Sequence, residues 1–318
     1  MSHSFLKGLL SAAFGLAVSL SSPFAYAEYN PKLLRIGFQK SGAALTLIKA
    51  RGTLEKRFSP SGIDVKWIEF PAGPQMLEGL NVGAIDIGYV GEAPPIFAQA
   101  AGTDFVYVGY EGASPQAESL LVRKDSPIEK VADIKNKKIA LNKGSNVHYF
   151  LVKLLEKHGL KYSDIQPVFL APADARAAFE RGSVDAWVIW DPYAAAAEKQ
   201  AGARVLVDAA GVVKNYGYFL ADRTFATKSA SVLKQLFEEL QKHGEWINRN
   251  YAEAAKQVAP LQGLEADIVE KTLRHFSNVF KPITDSVLSE QQQLGDTFFE
   301  LKLIPKAIRV KDAVLERH

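Results

Sequence analysis

Short apolar runs and amphipathic segments alternate along the chain from residue 33 onward. The runs are β-rich or alternate apolar with polar residues, whereas apolar residues in the segments recur with helical spacing. In chain order the stretches are 33–38 (strand), 43–58 (helix), 63–70 (strand), 75–83 (helix), 84–90 (strand), 94–102 (helix), 105–111 (strand), 117–124 (strand) and, farther on, the helices 231–251, 266–276 and 286–304. Strands that alternate with helices predict an α/β fold with a mainly parallel sheet covered by helices.

The pattern restarts in the middle of the chain, where two segments resemble earlier ones. KKIALNKGSNVHYFLVKLLEKHGL (137–160) matches LRIGFQKSGAALTLIKARGTLEKRF (34–58), and RGSVDAWVIWDPYA (181–194) matches VGAIDIGYVGEAPP (82–95). Since βα units in general look alike, each match alone is weak. Two matches in the same order and at a similar separation favour two lobes of similar architecture.

Two strand signals, 117–124 and 215–223, are interpreted as crossings between these lobes. With the crossings at these places, one lobe is inserted into the other. The expected limits are 28–119 plus 222–318 for the discontinuous lobe one, and 120–221 for lobe two.

The first 27 residues differ from the rest of the chain. One lysine, Lys7, precedes an apolar stretch from Gly8 to Leu20, and the small-x-small pattern Ala25-Tyr26-Ala27 follows. This order predicts a secretory signal peptide that is cut after Ala27, and an uncleaved anchor is the alternative. The apolar stretch is too short to span a bilayer comfortably.

The composition is that of an ordinary globular protein. Of 318 residues, 47% are apolar and 23% are charged, which allows a large core in two domains. The formal net charge of +3 comes from interspersed acids and bases, so it gives no support for binding nucleic acid. The chain has no cysteine, which excludes disulfides, thiolate metal sites and a cysteine nucleophile. An exported protein of this size without disulfides is typical of the bacterial periplasm.

Candidate ligand chemistry lies where the strands end, because ligands of open α/β sheets bind beyond the carboxyl ends of the strands. Two strand-to-helix turns, QKSG (39–42) and NKGS (142–145), carry a lysine, small residues and no acidic residue. Free N–H groups and the positive dipole end make a helix N-terminus an anion site. Ordinary capping explains either turn taken singly, whereas two such turns facing one cleft predict a bound anion. Lys40 and Lys143 are expected to face solvent or to attract the anion from a distance.

Aromatic and acidic residues at the same strand ends qualify this prediction. Trp190 is the favoured wall for an apolar part of the ligand, and Tyr216 and Tyr218 are weaker candidates. Glu92 and Asp191 would repel an anion if they faced it. Each could instead cap the next helix, pair with a base across the cleft, or hold a cationic group of a zwitterionic ligand.

Enzymatic interpretations find little support in the residues. The six histidines show no metal-ligand spacing such as H-E-x-x-H, and no G-x-S-x-G motif is present. Glu92 and Asp191 could form a carboxylate pair for glycoside chemistry, but no other feature supports that reaction. No cofactor and no metal are expected.

Five segments carry a resemblance to a known family. LRIGFQKSG, EFPAGPQMLEGLNVGAIDIGYVGEAPPIFAQAAG, IALNKGS, APADARAAFERGSVDAWVIWDPYAAAA and LIPK resemble the periplasmic aliphatic-sulfonate-binding proteins of ATP-binding-cassette importers. The resemblance implies the type II periplasmic-binding fold, with two α/β lobes, two hinge crossings and a ligand cleft. It also implies a monomeric receptor that performs no catalysis, scavenges sulfur as a small organosulfonate and delivers it to the transmembrane subunits of an ABC permease. A taurine or nitrate receptor of the same group is the alternative. Enzymes related to thiamine-pyrimidine synthases share the fold, but their cysteine-rich signature is absent here.

The resemblance and the strand ends together define an expected ligand site. Main-chain and hydroxyl donors would hold the sulfonate, and Trp190 would support its tail. The residues expected to bind or surround the ligand are Gln39, Ser41, Gly42, Gly91, Glu92, Ser145, Asn146, Trp190, Asp191 and Tyr218. The chain departs from the family in having Glu92 where aspartate is common, and KGSNVHYF where the turn is usually richer in serine.

Overall fold

The structure, a computed structural model, describes residues 31–315. The predicted signal peptide and its cleavage site lie outside these residues. Strands form at the apolar runs, as the sequence predicts. They are β1 (Leu33–Phe38), β2 (Asp64–Glu69), β3 (Ile87–Gly91), β4 (Val106–Glu111), β5 (Glu118–Val122), β6 (Lys138–Leu141), β7 (Gln166–Phe169), β8 (Ala186–Trp190), β9 (Arg204–Asp208), β10 (Gly217–Ala221) and β11 (Phe280–Lys281).

Helices fill the amphipathic segments, with one break that the spacing of apolar residues does not reveal. The single helix predicted over 43–58 is two helices, because Gly52 adopts the left-handed conformation with a φ of 59°. The helices are α1 (Ala43–Ala50), α2 (Thr53–Phe58), α3 (Gly73–Asn81), α4 (Ala93–Ala101), α5 (Asn146–Lys157), α6 (Pro172–Glu180), α7 (Tyr193–Ala201), α8 (Arg223–Lys228), α9 (Ala230–Arg249), α10 (Tyr251–Gln262), α11 (Ala266–His275) and α12 (Asp285–Glu300). In the described part of the chain, no helix combines the length and the apolar character that crossing a membrane requires.

Two sheets with matching strand order form the framework. The first sheet has the order β11-β4-β10-β3-β1-β2, and the second has the order β7-β6-β8-β5-β9. From one edge, β2-β1-β3-β10-β4 corresponds strand for strand to β7-β6-β8-β5-β9. The repeated segments of the sequence therefore occupy equivalent places in two sheets of similar architecture.

Most strands of each sheet run in one direction, as the sequence predicts, but both sheets are mixed because β10 and β11 in the first sheet and β5 in the second run the other way. In the first sheet β1 runs parallel to β2 and β3, but β10 runs antiparallel to β3 and β4. In the second sheet β6 runs parallel to β7 and β8, but β5 runs antiparallel to β8 and β9. The antiparallel pairing arises because β5 and β10 each enter a sheet as the chain returns from the other one.

The stretches interpreted as crossings are therefore themselves sheet strands. Residues 118–122 are a strand of the second sheet, and residues 217–221 are a strand of the first. The connections between the sheets are the loops before them, 112–117 and 209–216. We propose lobe limits that follow this pairing, with the second lobe beginning at β5 and ending after β9.

Side chains of each sheet pack into helical layers. One face of the first sheet packs against α1, α2, α9, α10 and α11, and its other face packs against α3, α4 and α12. The second sheet shares one continuous core with α5, α6 and α7. Successive residues of β10 alternate between the two faces of the first sheet, with Phe219 on one and Tyr218 on the other. These layers hold the strand ends of both sheets toward one space.

Candidate functional site

A cleft lies where the strand ends of both sheets face each other. The space between its lining atoms, with the open mouth, is about 480 Å³. The lining residues are Gln39, Ser41, Gly73, Tyr89, Gly91, Pro94, Glu118, Ser145, Asn146, Trp190, Asn215, Tyr216, Gly217 and Phe276.

The turn before α1 brings one helix N-terminus to the cleft. The N–H of Gly42 donates to the carbonyl of Gln39 at 3.0 Å, and the N–H of Ala43 donates to the carbonyl of Ser41 at 2.9 Å. The Gln39 side chain donates from Nε2 to the carbonyl of Tyr89 at 3.1 Å, which ties the turn to β3. No side chain of the described residues caps the first turn of α1, and that turn has no acidic residue. Its remaining N–H groups are therefore free for a guest.

The turn before α5 brings a second helix N-terminus to the same cleft. Gly144 has a φ of 75°, and its N–H donates to Nδ1 of His148 at 3.3 Å. The hydroxyl of Ser145 donates to the carbonyl of Asn142 at 2.7 Å, so it does not cap the helix. Within the described chain no side chain caps α5, and its first turn also has no acidic residue. Two uncapped N-termini with positive dipole ends thus converge on one space.

Asn146 spans the cleft and connects the lobes. Its Oδ1 accepts a hydrogen bond from the N–H of Ala93 at 3.1 Å, and its Nδ2 donates to Oδ1 of Asn215 at 2.6 Å. Asn215 in turn donates from Nδ2 to the carbonyl of Ser114 at 2.9 Å, so both connections between the sheets join this network. A Cβ atom on Gly91 would lie 2.0 Å from Oδ1 of Asn146, so only glycine allows the side chain to pack there.

Aromatic side chains form the apolar part of the cleft wall. Trp190 is 9% exposed and stands edge-on to Tyr193, with 6.0 Å between ring centroids. Tyr89, Tyr216 and Phe276 complete this wall. Tyr89 is fixed by a hydrogen bond from its hydroxyl to Oε2 of Glu111 at 2.5 Å. Burial and then the charge of Glu111 raise the pKa of Tyr89 well above its ordinary value, which keeps this hydroxyl a neutral donor.

The structure brings six of the ten predicted ligand residues to the cleft: Gln39, Ser41, Gly91, Ser145, Asn146 and Trp190. Their contact with a ligand stays a prediction. The other four do not line the cleft, and each has a structural reason.

Gly42 is the buried N-cap residue of α1, behind the turn that reaches the cleft. Tyr218 is fully buried in the first lobe, where its ring stands edge-on to Tyr107 at 5.1 Å. Gly217 is the first residue of β10 and lines the cleft. Tyr218 follows it, and its side chain enters the core.

The two predicted acids hold structure around the cleft. Oε2 of Glu92 accepts the N–H of Tyr216 at 3.0 Å. Burial raises the pKa of Glu92 to about 7, although the hydrogen bond from Tyr216 opposes this rise. Asp191 accepts the N–H of Ala195 at Oδ1, 3.0 Å away, and its Oδ2 lies 2.6 Å from Nδ1 of His275. The capping alternative for Asp191 agrees with this geometry.

Some lining residues had no signal in the sequence. Asn215 and Phe276 reach the cleft from segments that are distant along the chain, so only the tertiary fold places them there. A crossing over 117–124 does not predict Glu118 at the cleft, whereas as the first residue of β5 it lines the cleft. Gly73 and Pro94 reach the cleft because the starts of α3 and α4 contact each other: a Cβ on Gly73 would lie 2.6 Å from the Pro94 ring.

Metal chemistry has no candidate ligand set in residues 31–315. No group of three or more histidine, aspartate or glutamate side chains there could hold a metal ion. The cleft is lined by neutral donors, aromatic rings and one carboxyl group, without lysine, arginine or histidine among its described lining residues. Such a site can hold an anion through N–H, amide and hydroxyl donors, without a basic side chain among the described lining residues.

Comparison with known proteins matches the chain to one family model and to named relatives. The model of the NMT1-like family matches residues 27–262. A protein of Escherichia coli (strain K12), provisionally named an aliphatic sulfonates-binding protein, is 42% identical over 310 residues, which is 97% of each chain. A Bacillus subtilis (strain 168) protein with the same provisional name is 36% identical and covers 89% of this chain and 86% of its own.

Solved structures agree with the sequence comparisons. The alkanesulfonate-binding protein SsuA of Xanthomonas axonopodis pv. citri, bound to MOPS, matches with a TM-score of 0.87 and 42% identity. The match covers 91% of this chain and 100% of that one. The predicted fold class, two α/β lobes with a ligand cleft in the manner of periplasmic binding proteins, is therefore confirmed.

Proposed function

The chain belongs to the NMT1-like family, and we propose that it is a periplasmic substrate-binding protein for aliphatic sulfonates. In this role it captures a small organosulfonate and delivers it to the transmembrane subunits of an ABC permease for sulfur acquisition. Two relatives, each similar over more than four fifths of this chain, carry the name of aliphatic sulfonates-binding proteins. The family resemblance seen in the sequence points to the same function.

One observation of the structure carries the proposal: two uncapped helix N-termini open on one narrow cleft between the lobes. A sulfonate group is a permanent anion with three acceptor oxygens around one sulfur. The turn at Ser41 supplies N–H and hydroxyl donors and the turn at Ser145 supplies N–H donors from the opposite lobe, and charge-assisted hydrogen bonds of this kind are strong. The three sulfonate oxygens point in different directions, so one sulfonate can accept from both lobes at once.

The apolar wall suits the organic part of the ligand. The rings of Trp190, Tyr216 and Phe276 line the same cleft as the donors. An alkyl chain that leaves the sulfonate would remove apolar surface from water against these rings, at about 25 cal/mol per Å². The cleft opens to solvent at its mouth, so we expect longer tails to extend toward the mouth.

Ligand binding in this cleft would favour the closed arrangement of the lobes. A guest that contacts both lobes stabilises the conformation in which both sets of donors reach it. The loops 112–117 and 209–216 would serve as the hinge, and the permease would recognise the closed monomer. The protein itself would perform no chemical step, and the sulfonate would leave it unchanged.

Calorimetric titration of the purified mature chain tests the proposal. The ligands are ethanesulfonate, hexanesulfonate, taurine, sulfate and nitrate, together with a pyrimidine as an unrelated control. An alkanesulfonate should bind at about micromolar affinity or tighter and at least about tenfold more tightly than sulfate or nitrate. Clear heat from nitrate or the pyrimidine, with none from any sulfonate, would refute the function.

A further inference from the structure

Glu118 is an unpartnered acid in the ligand cleft. It is the first residue of β5, where the chain enters the second sheet, and it is fully buried. Its main chain is occupied, since its carbonyl accepts the N–H of Ala209 at 3.1 Å and β5 pairs it with Trp190. Its side chain lines the cleft, but neither Oε1 nor Oε2 has a hydrogen-bonding partner in the described structure. A buried polar group without a partner is costly, so such a group in a binding cleft points to a partner that the guest supplies.

The surroundings of Glu118 decide which protonation state it takes. Titratable groups lie on the cleft wall or behind it: Tyr216 with Glu92 behind it near the return connection, Tyr89 with its partner Glu111 on β3 and β4, and Asp191 with His275 beyond β8. None of the described lining residues is a lysine, arginine or histidine that could compensate a carboxylate. Burial and then the charge of Glu92 raise the pKa of Glu118 well above its ordinary value. A carboxyl group in this place therefore favours its protonated form.

We propose that Glu118 binds the guest as a neutral carboxylic acid and donates its proton in a hydrogen bond to a sulfonate oxygen. The inference rests on the proposed function and adds a specificity residue to it. A sulfonate oxygen only accepts hydrogen bonds, so it matches the single donor of a protonated carboxyl group. An ionised Glu118 would instead repel the sulfonate and would suit a guest that brings a cationic donor.

The proposal gives sulfonate binding a defined pH dependence. The guest stabilises the protonated form, so the pKa of Glu118 is higher with sulfonate bound than without it. Affinity is then constant while the free protein has Glu118 protonated, and it falls as pH rises through the pKa of the free protein. The limit of this fall is tenfold per pH unit, and in the same range binding takes up a proton.

Calorimetric titration with ethanesulfonate from about pH 6 to about pH 9.5 tests the inference. The wild-type protein should bind more weakly at the upper end, by about tenfold or more, and should take up a proton there. The proton is counted from the heats in two buffers with different ionisation enthalpies. Glu118→Gln, whose amide donates without titrating, should bind at about pH 6 within about fivefold of the wild type and should lose most of the pH dependence.

Glu92→Gln is the matched control, because Glu92 also titrates near neutrality. This variant should keep the fall in affinity but shift it to lower pH, because the charge of Glu92 no longer raises the pKa of Glu118, and a fall that persists without Glu92 is assigned to Glu118. Proton uptake by the wild type needs no variant, so it tests the proposal even if Glu118→Gln fails to fold.

Three results would overturn the inference while leaving the function intact. Sulfonate affinity could stay flat over the whole range, or Glu118→Gln could keep the full pH dependence. Taurine could also bind more tightly than ethanesulfonate and tighten as pH rises, which would assign Glu118 an ionised state that pairs with the ammonium group. Absence of sulfonate binding at every pH would refute the proposed function and the inference together.

Discussion

Gly91 and Asn146 show how close the two lobes approach. The position that a Cβ atom would take on Gly91 is 2.0–2.2 Å from the amide atoms of the Asn146 side chain. That side chain holds the N–H of Ala93 and the side chain of Asn215, so it has no room to retreat without losing both contacts. The glycine at this strand end is required by packing across the cleft.

We expect Gly91→Ala to weaken sulfonate binding by at least about tenfold. Overpacking of about 1–3 kcal/mol must be relieved by moving Asn146, which separates the lobes at the point where the ligand binds. Calorimetry with ethanesulfonate measures the affinity. Gly295→Ala on α12 is the control, because a Cβ atom there meets only ordinary contacts at 3.4 Å and beyond. Equal affinities for the two variants would contradict the role of Gly91.

His148 makes the stability of the protein depend on pH. Its ring is buried, with Nδ1 accepting from Gly144 and Nε2 lying 3.0 Å from the hydroxyl of Tyr162. An acceptor at Nδ1 requires the neutral ring. Burial, assisted by the charge of Lys143, lowers the pKa of His148 from 6.5 to about 4.

The lowered pKa of His148 determines the direction in which stability changes with pH. The contribution of neutral His148 to stability is complete above pH 6.5 and is lost as pH falls toward about 4. Its upper limit is about 3 kcal/mol. Denaturant unfolding of the wild type and of His148→Asn, which keeps an acceptor near Gly144, should show a difference that shrinks on acidification. A difference that does not change with pH would contradict this assignment.

Part of the site was predictable at the scale of single residues. Gln39, Ser41 and Ser145 follow directly from their places after predicted strands, because the strand ends of an α/β sheet share one edge. The structure places Tyr218 away from the cleft, because this residue lies past the cleft end of β10 and its side chain packs in the core. Glu118, Asn215 and Phe276 meet only through the tertiary fold, and no local pattern marks them.

At the scale of elements, the lobes are tied beside the cleft by α7 and α11. Asp191, just before α7, is almost fully buried and binds both Ala195 and His275, the last residue of α11. Ala195 and Ala196 of α7 also pack against Ile268 of α11. The exposed pairs on the same helices, such as Lys199 with Glu265, lie in solvent.

The contacts of Asp191 are buried, whereas the pair of Lys199 with Glu265 is exposed. We therefore expect Asp191→Ala to lower the free energy of unfolding by about 2–3 kcal/mol. It leaves the Ala195 N–H and the His275 ring without their partner, and it should also weaken sulfonate binding by loosening the closed lobes. Lys199→Ala should leave the free energy of unfolding nearly unchanged, because exposed ion pairs contribute little. Chemical denaturation measures the free energy of unfolding of the Asp191→Ala and Lys199→Ala variants.

A double-mutant cycle with His275→Ala isolates the part of the Asp191 effect that crosses between the lobes. No coupling between the two substitutions would show that Asp191 acts only as the cap of α7. An effect of Lys199→Ala as large as that of Asp191→Ala would contradict the ranking by burial.

Among the elements, the periodic segments were predictable and the conformational exceptions were not. The strand over 33–38 and the helices near 231–251 and 266–276 follow from their apolar spacing. The break between α1 and α2 depends on the backbone of Gly52, which apolar spacing does not report. The antiparallel direction of β5 and β10 within their sheets depends on the route of the whole chain, so a local rhythm of strands and helices does not predict it.

At the scale of the whole molecule, two similar lobes were predictable because the sequence repeats their first strand–helix units and their cleft turns. Both sheets share one strand order, and each receives a strand from the returning chain. Because each sheet receives a strand in this way, the two connections lie side by side under the cleft. There Asn215 of one connection bonds to Ser114 of the other and to Asn146. The central claim is that one sulfonate sits above this junction, held from both lobes.

Sulfur anomalous diffraction from crystals grown with hexanesulfonate tests that claim most directly. The chain has no cysteine and only two methionines, of which Met76 alone lies in the described residues. Its sulfur is buried in the first lobe and serves as an internal reference, so a ligand sulfur stands out. The account predicts a second peak between the turns at Ser41 and Ser145, in contact with both. A ligand peak elsewhere on the molecule, with the cleft between those turns empty, would contradict it.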